Sequence, residues 1–274
     1  MTVRRLTFTI GAAAAAAISL FAMVRYTQHV DRQLTSATAE GTTVRLLRDR
    51  QPVPAFKAVD VQGRPLSTAD YRNKVILVNF WATWCPPCRE EIPDLIALQN
   101  KYRDHLQIIG ISQDAGDAAA VAQFAAAHGM NYPVVMTTPE IERLFPNVYA
   151  LPTSFLVDRE GRIAQKHVGM LNPSLTEIEA RALAGLDVNA RIEYVEDEDK
   201  VRLENAAQAN KIPGIDLSTL TPEKKTQALQ QLNTEHCTCG CGLTVAQCRV
   251  DDPNCAVSLP LAQSIVKKIA DSRP

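Results

Sequence analysis

Val75 to Phe80 is a largely apolar, β-branched run of strand length, and it leads without a break into Trp81-Ala82-Thr83-Trp84-Cys85-Pro86-Pro87-Cys88. Beyond Cys88 the period changes: Ile92, Leu95, Ile96 and Leu98 to Tyr102 recur at helical spacing. The pattern predicts a buried strand that ends where a helix begins, with two thiols at the junction. Further along, Leu106 to Ser112 reads as a compact apolar strand, and Asp117 to His128 as an alanine-rich helix stopped by Gly129. Tyr132 to Met136 reads as a strand, and Thr138-Pro139-Glu140 opens a short helix carrying Ile141, Leu144 and Phe145. Glu160-Gly161 joins Thr153 to Asp158 and Ile163 to Val168 into a hairpin, and Leu175 to Leu186 supplies a closing helix. Upstream, Phe56 to Asp60 is a short strand turning at Gln62-Gly63. Strands alternating with helices predict an α/β domain, a central mixed sheet flanked by helices on both faces, over residues 52–187.

Both ends differ from this middle. Arg4 and Arg5 precede an uncharged, alanine-rich run from Leu6 to Val24 that ends at Arg25. It is close to the roughly 20 residues a membrane-spanning helix needs, and longer than the apolar part of most cleaved signal peptides. Residues 1–25 therefore read as an uncleaved anchor with Arg4 and Arg5 inside; a removed signal peptide and a buried helix are the alternatives. Residues 26–51 are polar and without period, and read as a tether. Residues 188–215, with Glu193, Glu196, Asp197, Glu198 and Asp199, read as an acidic linker. Residues 216–274 read as a small helical module: one helix opens at Thr221-Pro222-Glu223, and a second, Ser258 to Ala270, carries Leu261, Ile265, Val266 and Ile269 on one face. Between them lie Cys237, Cys239, Cys241, Cys248 and Cys255, with His236 alongside.

The 274 residues carry a formal charge of −1, which gives no reason to expect nucleic acid or a strongly charged substrate. No segment resembles a nucleotide, flavin or haem site.

The candidate chemistry lies at Cys85 and Cys88. The first turn of a helix presents unpaired N–H groups and the positive end of the macrodipole, and both favour a thiolate. Cys85, expected to be the more exposed, is the candidate nucleophile, and Cys88, one turn deeper, can attack a mixed disulfide and release the partner. Pro86 and Pro87 fit the entry to the helix and restrict the dipeptide between the thiols. The bland readings are an inert disulfide or half of a metal site.

Val-Asn-Phe-Trp-Ala-Thr-Trp-Cys-Pro-Pro-Cys, followed by Arg-Glu-Glu-Ile-Pro, resembles the TlpA and ResA-like branch of the thioredoxin superfamily over about Pro52 to Leu186. The resemblance implies a thioredoxin-like fold with an extra β-α segment before the final hairpin. It also implies a membrane-anchored thiol-disulfide oxidoreductase on the periplasmic side of a bacterial inner membrane, or a secreted periplasmic protein if the leader is cleaved. Asn79 stands where thioredoxin has a buried aspartate, and Glu91 matches a glutamate implicated in this branch; an ordinary acid of the first helical turns is its simpler reading. In the resembled family the proline of Leu151-Pro152-Thr153 is cis and packs beside the thiols. A cis bond there leaves backbone groups of the neighbouring residue free to pair with an extended substrate. Trp84, Pro86, Pro87, Leu151, Pro152 and Thr153 are thus the expected substrate-binding residues.

The C-terminal thiols leave three readings open. On an oxidising side of a membrane, five cysteines would form two disulfides and leave one free. Cys-x-Cys-x-Cys with His236 could instead hold Cu(I), or zinc with less preference, and the spacing matches no familiar zinc finger. The cluster could also be a redox partner for Cys85. For the whole chain, the reading is a reductase of cysteine pairs in proteins such as apocytochromes c or copper-site proteins, recharged by a membrane thiol-disulfide donor and needing no cofactor. A copper chaperone or scaffold is the alternative from another class. A thiol peroxidase is disfavoured, because Thr83 lies two residues before Cys85 where Pro-x-x-x-Thr-x-x-Cys needs three.

Overall fold

The computed structural model describes residues 42–145, 147–196 and 207–272, so the apolar run Leu6 to Val24 lies outside the described residues. Among the described residues, no helix is long and apolar enough to cross a membrane. Of these residues, 45–187, 194–196 and 207–272 form one compact unit, and 42–44 with 188–193 form a second, small one. In the small one the Arg191 N–H donates to the Thr42 carbonyl at 3.0 Å.

Strand β1 (Thr43–Leu47) lies in the segment read as a tether. Val44 and Leu46 are buried with Arg45 exposed between them, an alternation too brief to stand out from its polar flanks. β2 (Lys57–Val59) and β3 (Pro65–Ser67) pair antiparallel. Then follow β4 (Val75–Trp81), α1 (Pro86–Lys101), β5 (Leu106–Ser112), α2 (Ala118–Ala127), β6 (Val134–Met136), α3 (Pro139–Leu144), β7 (Ala150–Leu151), β8 (Thr153–Val157), β9 (Ile163–Val168) and α4 (Pro173–Leu183). The central five-stranded sheet has the order β6-β5-β4-β8-β9. β4 runs parallel to β5 and antiparallel to β8, so the sheet is mixed.

Every residue of β4 is buried, as befits a strand covered on both faces. Phe80 turns to one face, where its ring lies 5.5 Å from Phe145 and 5.9 Å from Phe155. Asn79 and Trp81 turn to the other. Helix α1 opens with Pro86 at its first position, where a missing N–H costs nothing, and Cys85 is its N-cap.

The region read as an acidic linker is also partly ordered as strand. β10 (Arg191–Val195) forms a two-stranded sheet with β1, and β11 (Gln208–Ala209) pairs antiparallel with β7. Three helices follow: α5 (Pro222–Thr234), α6 (Val245–Asp251) and α7 (Ser258–Asp271). They bury Leu229, Leu232, Val245, Ile265 and Ile269 among themselves and β11. α5 and α7 start where the sequence places them, whereas α6 was not foreseen. Its signal is a capping box: the Thr244 hydroxyl accepts from the Gln247 N–H, and the Gln247 side chain accepts from the Thr244 N–H.

Candidate active site

Cys85 and Cys88 are joined in a disulfide, their Cα atoms 5.3 Å apart across the first turn of α1. The loop that delivers Cys85 is held from β5: the Thr83 N–H and hydroxyl both donate to Asp114, the hydroxyl at 2.6 Å. Ser112 fixes that carboxylate in turn, at 2.7 Å. The expectation that Cys85 would be the more exposed thiol is corrected: Cys85 is 0 % and Cys88 1 % exposed, with Trp84 at 8 %. The sequence argument considered the helix start alone. The fold brings other chain to the same place: Pro222, Glu223 and Thr226 of α5 line one groove with Thr83 and Asp114 to Asp117.

Glu91 is three residues after Cys88, hence on the same side of α1. It is 2 % exposed, unlike an ordinary acid of a helix start. Its Oε1 accepts from Asn79 Nδ2 at 2.7 Å and its Oε2 from the Leu171 N–H at 3.2 Å. Asn79 uses its second amide hydrogen on Ser154 Oγ, at 3.0 Å, directly across the β4–β8 ladder. Burial drives the Glu91 carboxyl up to about 7, against the pull of the Leu171 and Asn79 donors, and nearby Asp94 adds to the rise. An acid that titrates near neutrality therefore lies one helical turn from the deeper sulfur. Glu91 also lines a groove between α1 and α4 with Leu95, Leu98, Leu171 and Thr176.

Behind this acid, burial and the Glu91 charge push the Tyr132 hydroxyl upward. Tyr132 Oη and Trp81 Nε1 are buried without a hydrogen-bond partner among the described residues. Gly110 leaves room for both: a Cβ there would stand 2.9 Å from Trp81 Nε1 and 3.5 Å from the Tyr132 ring. Ser154, Leu171 and Tyr132 went unremarked in the sequence, because their places around Glu91 come from strand register and not from local spacing.

The Leu151-Pro152 peptide bond is cis. Thr153 Oγ1 donates to the Ala150 carbonyl at 2.7 Å, and the Gly169 N–H donates to the Pro152 carbonyl at 2.8 Å. Leu151 departs from expectation, for its backbone edge is taken by the chain itself. Gln208 stands opposite Leu151 and Ala209 opposite Ala150. The Asn210 N–H donates to the Tyr149 carbonyl at 3.0 Å, and the two-residue alternation of an antiparallel ladder makes Gln208 and Leu151 the next bonded pair. The other edge of β11 is clamped by Asn233, which accepts from the Ala209 N–H and donates to its carbonyl, both at 2.8 Å.

Cys237, Cys239, Cys248 and Cys255 converge in the C-terminal helices, their sulfurs all within 4.8 Å of one another. His236 and Cys241, candidate ligands from the sequence, do not join this group. His236 and Cys241 are both exposed on the tight turn that carries Cys237 and Cys239, and the Cys241 thiol interacts with those of Cys239, Cys248 and Cys237.

Residues 50–166 match the AhpC/TSA family. The thioredoxin-like protein YneN of Bacillus subtilis (strain 168) is 32 % identical over 127 residues, 46 % of this chain and 74 % of that protein. The thiol-disulfide oxidoreductase ResA of Bacillus anthracis is 33 % identical over 117 residues, 42 % of this chain and 67 % of its own. Among solved structures, a thiol:disulfide interchange protein from Chlorobium tepidum TLS is similar at 34 % identity and a TM-score of 0.47, covering 50 % of this chain and 98 % of that one. A cysteine pair at a helix start on this sheet, with these relatives, makes the protein a thiol-disulfide oxidoreductase of thioredoxin-like fold. The chain belongs to the family of ResA and YneN.

Proposed function

We propose that the protein reduces disulfides in extracytoplasmic proteins, with Cys85 as nucleophile, Cys88 as resolving thiol and Glu91 as the acid that serves them. The observation that carries this reading is the buried Glu91 carboxyl, titrating near 7 one turn from Cys88. In the reduced enzyme the Cys85 thiolate attacks one sulfur of a substrate disulfide, giving a mixed disulfide and a substrate thiolate. Cys88 then loses its proton and its sulfur attacks Cys85 Sγ; the second substrate thiolate leaves and takes up a proton. Two electrons pass to the substrate, one of its two new thiols takes the proton given up by Cys88 and the other takes a proton from solvent, and the enzyme is left with the Cys85–Cys88 bond, the state seen here. A membrane thiol-disulfide donor restores the dithiol.

Glu91 fits the proton transfer at the buried Cys88, since a group near 7 can take and return a proton at neutral pH. Of the residues proposed to bind substrate, Pro86 is exposed while Trp84, Pro87, Pro152 and Thr153 are buried, so a substrate meets Pro86 first and the others only as the site opens. The apolar run Leu6 to Val24 supports an inner-membrane anchor with the catalytic domain in the periplasm. The names of the ResA relatives support oxidoreductase chemistry, and cysteine pairs awaiting haem or copper insertion are the substrates we favour.

Two measurements test this. Cys88→Ser should trap mixed disulfides with partner proteins, and Cys85→Ser should trap none. The reduction potential of the pair should fall near or below that of thioredoxin, about −270 mV. A value near −120 mV would make the protein an oxidant and overturn the reading.

A further inference from the structure

The C-terminal thiols occupy three separate pieces of chain that the fold draws to one point. Cys237 and Cys239 lie on a tight turn closed by the Cys237 N–H donating to the Leu243 carbonyl and the Val245 N–H donating to the Glu235 carbonyl, at 2.9 and 2.8 Å. Gly240 and Gly242 give that turn its left-handed residues, with φ of +89° and +73°. Cys248 lies one turn into α6, and Cys255 lies in the loop before α7. Cys237 and Cys248 are buried, Cys255 is half-buried and Cys239 is exposed.

The support around them is built. Arg249, 3 % exposed, donates to the Pro213 carbonyl at 2.9 and 3.0 Å and to the Pro253 carbonyl at 2.7 Å, which fixes the loop bearing Cys255 against α6. The Ser258 hydroxyl donates to the Cys255 carbonyl at 3.4 Å, which braces the backbone that carries this thiol. Such outer contacts orient a metal ligand.

We propose that Cys237, Cys239, Cys248 and Cys255 bind one Zn²⁺ ion as a closed, structural four-thiolate site. The spacing decides the chemistry. Four sulfurs about 2.3 Å from a tetrahedral ion lie about 3.8 Å from one another. Here Cys237 Sγ and Cys239 Sγ are 3.3 Å apart, and Cys239 Sγ and Cys248 Sγ 3.9 Å, with the whole quartet inside 4.8 Å. All four are free thiols, and a disulfide would need a pair at about 2.05 Å. A tetrahedral all-sulfur set selects zinc or iron over Cu(I) held by fewer thiolates, and a site closed by four protein ligands suits a structural zinc. Binding exchanges four thiol protons for one ion and transfers no electrons. Cys241, the fifth thiol, interacts with Cys239 from the exposed side but is not one of the four mutually close sulfurs.

The ion would tie the turn, α6 and the start of α7 together. α6 packs on β11, the strand paired with Ala150 and Leu151, so the metal would help fix the segment that edges the cis Leu151-Pro152 turn.

The test uses the full chain, purified under reducing conditions, with metals measured by elemental analysis. The expected result is one zinc per chain. Cys248→Ser should lower zinc content at least tenfold, while Cys241→Ser and Cys88→Ser leave it unchanged. Should Cys248→Ser fail to fold, the wild-type chain stripped with a chelator and titrated with Co²⁺ gives the answer: a one-equivalent endpoint with the charge-transfer and visible bands of tetrahedral cobalt thiolate. Copper or iron in place of zinc, a cluster that needs Cys241, or two C-terminal disulfides in peptide mapping of a metal-free protein would each overturn the proposal.

Discussion

Gln208 of β11 stands opposite Leu151 of β7, so the chain's own C-terminal segment fills the backbone edge that leads into the cis Leu151-Pro152 bond. Cys85 is 0 % exposed, so a protein partner reaches its sulfur only after covering chain yields, and if β11 is that cover, loosening it should speed exchange. Gln208→Pro removes one donor from the ladder, which costs about 1 kcal/mol, a roughly fivefold gain in open molecules. Asn233→Ala frees both backbone groups of Ala209 and should do more. The measurement is the rate at which a small dithiol and a disulfide-bearing protein exchange with the Cys85–Cys88 pair. Acceleration in both variants is expected, larger for the protein partner; unchanged rates would show that β11 does not limit access.

Glu91 gives the protein a pH signature. Its folded-state value, about 7, stands above the ordinary 4.5, so the neutral carboxyl's contribution is intact below about pH 4.5 and is lost as pH rises to about 7. The loss amounts to about 3 kcal/mol in all. Urea unfolding at pH 5 and pH 8 should show wild-type stability falling by roughly 2 kcal/mol over that interval from this group. In Glu91→Gln the fall should vanish, and the inflection near pH 7 in the thiol-exchange rate should vanish with it. If the inflection persists in the variant, Glu91 has no part in the proton transfer.

The contrast between these two sites explains what the sequence could reveal. Strand β4, the change of period after Cys88 and Pro86 at the helix start are local features, and a residue pattern records them. That Asn79 would meet Glu91 is half local: both positions stand out beside the cysteines, but β4 is buried on both faces, so no polar alternation tells which way Asn79 points. β11 is the opposite case. Gln208-Ala209 has no strand signature of its own, and it pairs because α5 holds it through Asn233 against a partner far back in the chain.

Gly110 illustrates how tightly the sheet is filled behind the acid. A methyl group there would press on Trp81 Nε1 at 2.9 Å, and Trp81 is 1 % exposed with nowhere to swing. Gly110→Ala should cost about 1–3 kcal/mol, the usual range for overpacking a filled core. Tryptophan fluorescence should shift in the native state, while a Gly116→Ala control, with open space around its Cβ, leaves stability within about 0.5 kcal/mol.

The Asn79–Glu91 contact can be reversed, and the reversal separates charge from packing. Asn79 Nδ2 supplies hydrogens to both Glu91 Oε1 and Ser154 Oγ. Asn79→Asp replaces that donor by an acceptor and sets two buried carboxyls against each other. Like charges so close cannot both ionise, so the pair would retain one proton to a pH above 7. The exchange-rate inflection should move upward by about one unit or more, and stability at pH 8 should fall by about 2 kcal/mol. Combining Asn79→Asp with Glu91→Gln restores a donor and an acceptor in swapped order. The double variant should recover most of the lost stability while keeping a titrating acid on the strand instead of the helix. Exchange kinetics then discriminate: an inflection that returns with the swap means any acid in this pocket serves the cysteines, and one that stays absent ties the proton transfer to the carboxyl one turn after Cys88.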